Sequence, residues 1–158
     1  MAKKKKSQPD NPIQQAELIL RLYELRRETV MREARSYVGG EFMPQSADEF
    51  VEIVNSGTKH GAFVLQVYGY WDMVAAFVVH GALDAVLVHD TCQEMYFQYA
   101  KIQPYLAAIR EKLSLPEFLT SIERVVEGSE TGRGRLKTMQ DNLAVMTKAR
   151  DKATAQQA

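Results

Sequence analysis

The chain has 158 residues, with 20 lysine and arginine side chains, 20 aspartate and glutamate side chains, and a formal net charge of zero. This length fits one domain with extended ends, and the charge balance excludes a global bias toward nucleic acid or acidic lipid. The single cysteine, Cys92, excludes an intrachain disulfide, so we expect a cytoplasmic bacterial protein in a reducing compartment.

Residues 1–11 are polar and basic, which is typical of a disordered tail. A polar segment rather than an apolar one follows the lysines, so the tail lacks the pattern of a secretory signal. With two arginines farther along the chain, the lysines are a candidate contact for nucleic acid or an anionic membrane; the alternative is a solvated tail. These basic positions are Lys3, Lys4, Lys5, Lys6, Arg133 and Arg135.

The first predicted helix begins near Asn11, has Pro12 in its first turn and ends at Gly39 and Gly40. Spacings of three and four residues predict a seam that faces the core. Arg27 falls inside this seam, so we expect a buried ion pair between Arg27 and Asp72. The other seam positions are Ile13, Ala16, Leu20, Tyr23, Val30, Ala34 and Tyr37.

Ser46 and Glu49 have the spacing of a capping box and predict a short second helix that ends at Gly57. The longest apolar run, residues 61–88, follows it. A helix that is apolar on all sides is either a membrane span or the buried centre of a bundle. Polar residues are spread through this run, so we predict a buried central helix over residues 59–80, ended by Gly81. These polar residues are Gln66, Asp72, His80 and Asp84.

The central run also offers a second interpretation of its carboxylate. Trp71, Asp72 and His80 could line a ligand pocket in which Asp72 acts as an acid with a raised pKa. Asp84 is a candidate N-cap for a short helical turn. A fourth helical stretch is predicted from near Asp90 to residue 113, either one long helix kinked at Pro104 or two helices that meet there.

A second capping-box pattern, Ser114 with Glu117, predicts a fifth helix that ends at Gly128. Residues 129–135 have the composition of a linker. Residues 136–158 predict an amphipathic C-terminal helix, frayed at its end, with apolar residues at a and d positions of two heptads. This helix could dock on the bundle, pair with another chain or fray. The a and d residues are Leu136, Met139, Leu143 and Met146.

Several side chains of metal-ligand type cluster in the sequence, but their spacing matches no zinc signature. Cys92 with His89 resembles a nucleophile and a base, yet no third group can be assigned to them. Roles as helix caps and loop polar groups are the simpler interpretation, so we predict no catalytic residue, metal or cofactor. The clustered residues are His80, Asp84, His89, Asp90, Cys92 and Glu94.

About two thirds of the chain carries motifs that resemble an uncharacterised, numbered family of bacterial helical proteins of unknown function. The motifs are His80-Gly-Ala-Leu-Asp84, Val86-Leu-Val88, Tyr96-Phe97-x-Tyr99, Lys101-Ile-Gln-Pro104-Tyr-Leu and Ile109-Arg-Glu111. The Leu-Tyr-Glu-Leu-Arg-Arg stretch of the first helix resembles the opening helix of that family. The resemblance implies an all-helical fold and supplies no activity.

The sequence therefore predicts an all-α fold: an irregular bundle of about five helices around a buried central helix, with a C-terminal extension. The expected organisation is a tail (1–11), a bundle (12–128), a linker (129–135) and a final helix (136–158). The leading functional hypothesis is a non-enzymatic interaction or scaffold module that associates with itself or a protein partner. The alternatives are a peripheral binder of nucleic acid or anionic membrane, and a small-molecule sensor or enzyme with a pocket at Asp72.

Overall fold

The computed structural model describes residues 11–157, and over this range all regular secondary structure is helical, so the predicted all-α class is confirmed. The helices are α1 (Pro12–Arg27), α2 (Thr29–Gly40), α3 (Ala47–Asn55), α4 (Lys59–Val79), α5 (Ala85–Thr91), α6 (Gln93–Ile102), a 3-10 turn (Gln103–Tyr105), α7 (Leu106–Leu113), α8 (Thr120–Glu127) and α9 (Glu130–Gln157). Lys3, Lys4, Lys5 and Lys6 lie outside the described residues.

Helix α4 is the centre of the bundle, as predicted, and it packs against α2, α3 and α8. Large side chains such as Val67, Tyr68 and Trp71 are fully buried on its inner side. One side of α4 is nevertheless open, where Leu65 is 45% and Met73 38% exposed. The even distribution of apolar residues around this helix therefore does not mean that every side is covered.

The predicted first helix is two helices, because the chain turns at Glu28, whose backbone is extended (φ −57°, ψ 142°). The Glu28 carboxylate accepts a hydrogen bond from the backbone N–H of Met31 at 3.0 Å and so caps α2. The predicted seam also faces the wrong way along α1, where Ile19 and Leu22 are buried instead. We call the exposed apolar positions of α1 the outer seam: Ile13, Ala16, Leu20 and Tyr23.

Helix α1 carries apolar residues on two adjacent sides, and spacing alone cannot decide which side faces the core. Contacts with α4 and the turn that follows it make the choice. The hydroxyl of Tyr70 donates to the carbonyl of Leu22 at 2.7 Å, and the backbone N–H of Asp84 donates to the side chain of Gln15 at 2.8 Å. Both contacts draw the inner side of α1 toward the bundle.

The predicted fifth helix begins later than expected. Ser114 is not an N-cap but the left-handed residue that ends α7 (φ 54°), and its backbone N–H donates to carbonyls of the preceding turn. Residues 115–119 form turns, and α8 starts only at Thr120. The second capping-box prediction is therefore wrong, because the serine accepts no hydrogen bond at a helix start and instead closes the helix before it.

The predicted linker, residues 129–135, is also wrong, because residues 130–135 form the first turns of α9. Gly132 lies against the end of α8, where an added Cβ atom would stand 2.2 Å from the carbonyl oxygen of Val126. This glycine therefore allows a close helix contact rather than flexibility. Leu136 is buried, and Met139 and Leu143 are half-buried against the core, so α9 docks on α6 and α8.

Candidate functional site

The structure does not pair Arg27 with Asp72. Arg27 is exposed in the last turn of α1, whereas the Asp72 carboxylate accepts a hydrogen bond from the backbone N–H of Ile122 at 3.0 Å. Helix α8 has no side-chain cap of its own at this end, so Asp72 caps it from a neighbouring helix. The negative charge also lies at the positive end of the helix dipole. The role of Asp72 is therefore structural.

The guanidinium that packs inward belongs to Arg26, one residue before the predicted position. Glu94 accepts hydrogen bonds from Arg26 at 2.6 Å and from Nε of Arg35 at 3.0 Å, which ties α1, α2 and α6 together. Burial alone would raise the pKa of Glu94, but the hydrogen bonds and charges of Arg35 and Arg26 outweigh it and hold the pKa below its usual value. Glu94 is therefore ionised at neutral pH.

Arg26 is also stacked between aromatic rings. Its guanidinium carbon lies 4.7 Å from the centroid of Tyr23 and 5.0 Å from that of Trp71. Trp71 is 1% exposed, so this packing leaves no open space for a ligand beside the indole ring. His80 is exposed just after α4, and neither cleft described below is lined by Trp71, Asp72 or His80. These three residues do not form the predicted pocket.

The polar cluster around Cys92 is divided among separate structural roles. Asp84 caps α5, as predicted, by accepting hydrogen bonds from the backbone N–H groups of Val86 and Leu87 at 2.9 and 3.1 Å. Burial raises the pKa of the Cys92 thiol, which disfavours the reactive thiolate. Over residues 11–157, no group of three or more histidine, cysteine, aspartate or glutamate side chains is placed to hold a metal ion.

His89 is buried between two hydroxyl groups. Its Nδ1 is hydrogen-bonded to the hydroxyl of Tyr96, and its Nε2 lies 3.3 Å from Oγ of Ser129. That oxygen also accepts from the backbone N–H of Gly132 at 3.0 Å at the start of α9. Burial, with the charge of Arg135, lowers the pKa of His89 below its usual value. This network joins α5, α6 and α9, and the neutral imidazole suits its buried position.

The two arginines of the predicted basic contact hold α9 in place. Nη1 of Arg133 donates to the carbonyl of Glu127 at 2.7 Å, at the end of α8. Arg135 forms an ion pair with Asp90 at 2.8 Å. Both side chains therefore have partners within the bundle, and their charge is not wholly available for a separate ligand.

A cleft of about 370 Å³ lies between the α2–α3 loop, the end of α6 and α9. Lys101 lines it and is 6% exposed. Burial lowers the pKa of Lys101 to about 7. Sequence reasoning missed this residue as a candidate site. The sequence signal that was available is a lysine among apolar residues, since Lys101 lies between Ala100 and Ile102.

The outer seam of α1 is the second feature that sequence reasoning did not place. Ile13 is 70%, Leu20 64% and Tyr23 42% exposed, and all three lie on one side of the helix. The residues themselves were identified from their spacing, but they were expected in the core. An exposed apolar strip of this kind is a feature of association surfaces.

One described helix, α4, is long and apolar enough to span a membrane by length and composition alone. In its most apolar window of 18 residues, 44% of the residues are buried in the bundle. The core helix of a bundle and a membrane helix both satisfy this test, so the finding is weak evidence.

These features define an all-α domain assembled around one central helix, with internal polar networks that link its helices. The chain belongs to the family described as Domain of unknown function (DUF4760), whose model matches residues 11–129. The resemblance to an uncharacterised domain family is therefore confirmed. The match ends one residue before α9, although α9 packs on the matched bundle. No curated protein and no solved structure gave a significant match to the chain.

Proposed function

We propose that the protein is a non-enzymatic interaction module that associates with a second copy of itself through the outer seam of α1. The observation that carries the proposal is the exposure of Ile13 and Leu20, at 70% and 64%. Burying such side chains against a partner contributes roughly 1.5–3 kcal/mol each when they are fully covered. Leu25 and Val30, 54% and 48% exposed near the turn at Glu28, add further apolar surface.

A second copy suits this surface because the charges around the seam have both signs. Glu17, Arg21, Glu24 and Arg27 are all exposed on α1. In an antiparallel pair of α1 helices that covers the seam of both copies, exposed acidic and basic side chains of the two copies lie beside the contact. Such a two-fold contact uses the same surface on both chains.

The C-terminal helix supports self-association less than its sequence suggested. Leu136, Met139 and Leu143 pack on the bundle, which leaves Val145 and Met146 as its exposed large apolar residues. The proposal therefore rests on α1 rather than on α9.

Size-exclusion chromatography with light scattering tests the proposal on the full chain. We expect a dimer for the unchanged protein and a monomer for Leu20→Glu. At concentrations low enough to dissociate the dimer, the two proteins should have the same melting temperature. Val145→Glu is the matched control, because Val145 is 68% exposed on α9 and should leave the dimer intact. A monomer for the unchanged protein at every concentration would refute the proposal.

A second candidate function is peripheral binding to an anionic membrane. The observation that favours it is the position of Lys3, Lys4, Lys5 and Lys6 shortly before Ile13 and the outer seam. Lysines near an anionic surface contribute about 1 kcal/mol each, and an apolar helix face adds burial in the headgroup region. Co-sedimentation with vesicles that contain phosphatidylserine tests it. Binding should fall with salt and on changing the four lysines to glutamine, whereas the dimer should persist in that variant.

A further inference from the structure

Lys101 is the one buried lysine, arginine, aspartate or glutamate among residues 11–157. Its ammonium group donates a hydrogen bond to the carbonyl of Val38, in the last turn of α2, and lies 4.7 Å from the centroid of the Phe97 ring. None of the ion pairs among the described residues includes Lys101. A buried charge without a counter-ion is energetically costly.

The lysine has hydrogen-bonding capacity to spare. An ammonium group has three donors, of which the Val38 carbonyl takes one and the ring face of Phe97 interacts with the positive charge. The charge of Glu94 favours the protonated form, but burial is the larger effect and lowers the pKa to about 7. The fold therefore holds a cation whose charged form lacks a carboxylate in contact.

The same side chain lines the cleft of about 370 Å³. The apolar walls are formed by Met43, Pro44, Ala100, Pro104, Leu143 and Ala144. Each of the two lining glutamine amides uses one N–H elsewhere: Gln45 donates to the carbonyl of Met43 at 3.0 Å, and Gln140 to the side chain of Gln103 at 3.2 Å. Lys101 is the one residue with a charged side chain among those that line this cleft.

We propose that this cleft binds a small carboxylate with an apolar body, and that the carboxylate supplies the counter-ion that Lys101 lacks. The volume of about 370 Å³ is sufficient for a short hydrocarbon chain. It lies at the lower end of the range for ligand clefts. The apolar walls enclose the hydrocarbon, and the head group lies against Lys101.

An adjoining cleft of about 460 Å³ shares Met43, Gln45 and Thr147 with the first. It is lined by charges of both signs, from Glu49, Arg150 and Asp151. This mixture gives an anion no unopposed cation, so the carboxylate is assigned to Lys101. No residue of the outer seam lines either cleft, so this site is independent of the proposed association through α1.

Thermal unfolding and saturation-transfer NMR of the full chain with octanoate test the proposal, with octanamide as the neutral match. At a hundred times the Kd, octanoate should raise the melting temperature by about 5–10 °C, and octanamide should raise it far less. Lys101→Met should abolish the difference between the two ligands. Ala144→Trp should block the cleft from an exposed position, whereas Val145→Trp, on the same helix but outside the cleft, should bind normally.

Equal shifts with octanoate and octanamide, or an unchanged preference in Lys101→Met, would overturn the proposal. So would the absence of any shift or NMR transfer with octanoate. If Lys101→Met does not fold, the comparison of Ala144→Trp with Val145→Trp still decides the location of the site. The comparison of octanoate with octanamide binding then decides whether the site prefers a charged head group. Loss of dimerisation in Leu20→Glu should leave octanoate binding unchanged, so the failure of one proposal is distinct from the failure of the other.

Discussion

At the scale of single residues, neighbours in the sequence have opposite environments. Arg26 is stacked on Tyr23 and Trp71 and bonded to Glu94, whereas Arg27 is exposed. A rotation of about 100° per residue is sufficient to separate the two side chains. The guanidinium that joins α1 to α6 is therefore selected by the side of the helix on which it lies.

The pair Arg26→Met and Arg27→Met tests this assignment. Removing Arg26 takes one charged hydrogen bond from Glu94 and the stack on two rings, so we expect a loss of about 1–3 kcal/mol in unfolding free energy. Arg35 still neutralises Glu94 in that variant, which limits the loss. Arg27→Met should stay within about 0.5 kcal/mol of the unchanged protein. Urea denaturation measures both, and equal losses would contradict the assignment.

At the scale of helices, the junction of α8 and α9 depends on close backbone approach. Gly132 stands where an added Cβ atom would meet the carbonyl oxygens of Val126 and Val125 at 2.2 and 2.9 Å. Ser129, Arg133 and Arg135 then fix the start of α9 through hydrogen bonds and an ion pair. Residues 129–135 have the composition of a linker, but they attach the start of α9 to the end of α8.

Two glycines of α9 provide a matched test of this junction. Alanine usually favours a helix interior by up to about 1 kcal/mol over glycine, and Gly134→Ala should show this gain because nothing lies within 4 Å of its added Cβ atom. Gly132→Ala should instead destabilise the protein by about 1–3 kcal/mol, because α9 must move away from α8. Thermal unfolding and amide exchange along α9 measure the effect. A gain in both variants would contradict the close contact.

At the scale of the whole molecule, buried titratable groups make stability depend on pH. The folded pKa of Lys101 is lowered from 10.5 to about 7, so between these values the unfolded chain retains a proton that the folded chain has released. Stability from this group therefore rises with pH across that window. His89, whose folded pKa is also lowered, contributes stability that is lost as pH falls through the usual histidine range near 6.5.

Urea denaturation between pH 7 and 9 measures the Lys101 contribution. We expect the unfolding free energy to rise by at most about 1.4 kcal/mol per pH unit, the limit for one proton. Lys101→Met should remove this rise, although it leaves the Val38 carbonyl without its donor. Higher pH is less informative, because burial raises the pKa of Cys92 and Tyr96, and ionisation of these groups in the unfolded chain then lowers stability. A flat profile in the unchanged protein would contradict the buried-lysine assignment.

Much of the local structure follows from the sequence by itself. Ser46 and Asp84 cap helices where their side chains were expected to, α1 begins near its predicted start with Asn11 as its cap, and Gly57 and Gly81 adopt positive φ at helix ends. The all-α class and the central position of residues 59–79 also follow from composition and hydropathy. These features depend on interactions within a few residues, so short patterns contain the necessary information.

The candidate sites depended on tertiary structure. The sequence identified the residues of the outer seam by their spacing, but only packing against α4 and its following turn placed their side outward. The sequence singled out Asp72, but the start of α8 gave it a partner. Lys101 becomes a site residue only because α9 and the α2–α3 loop enclose it. The physical reason is that a partner or a cleft is set by the relative register of whole helices, and residues far apart in the chain jointly fix that register.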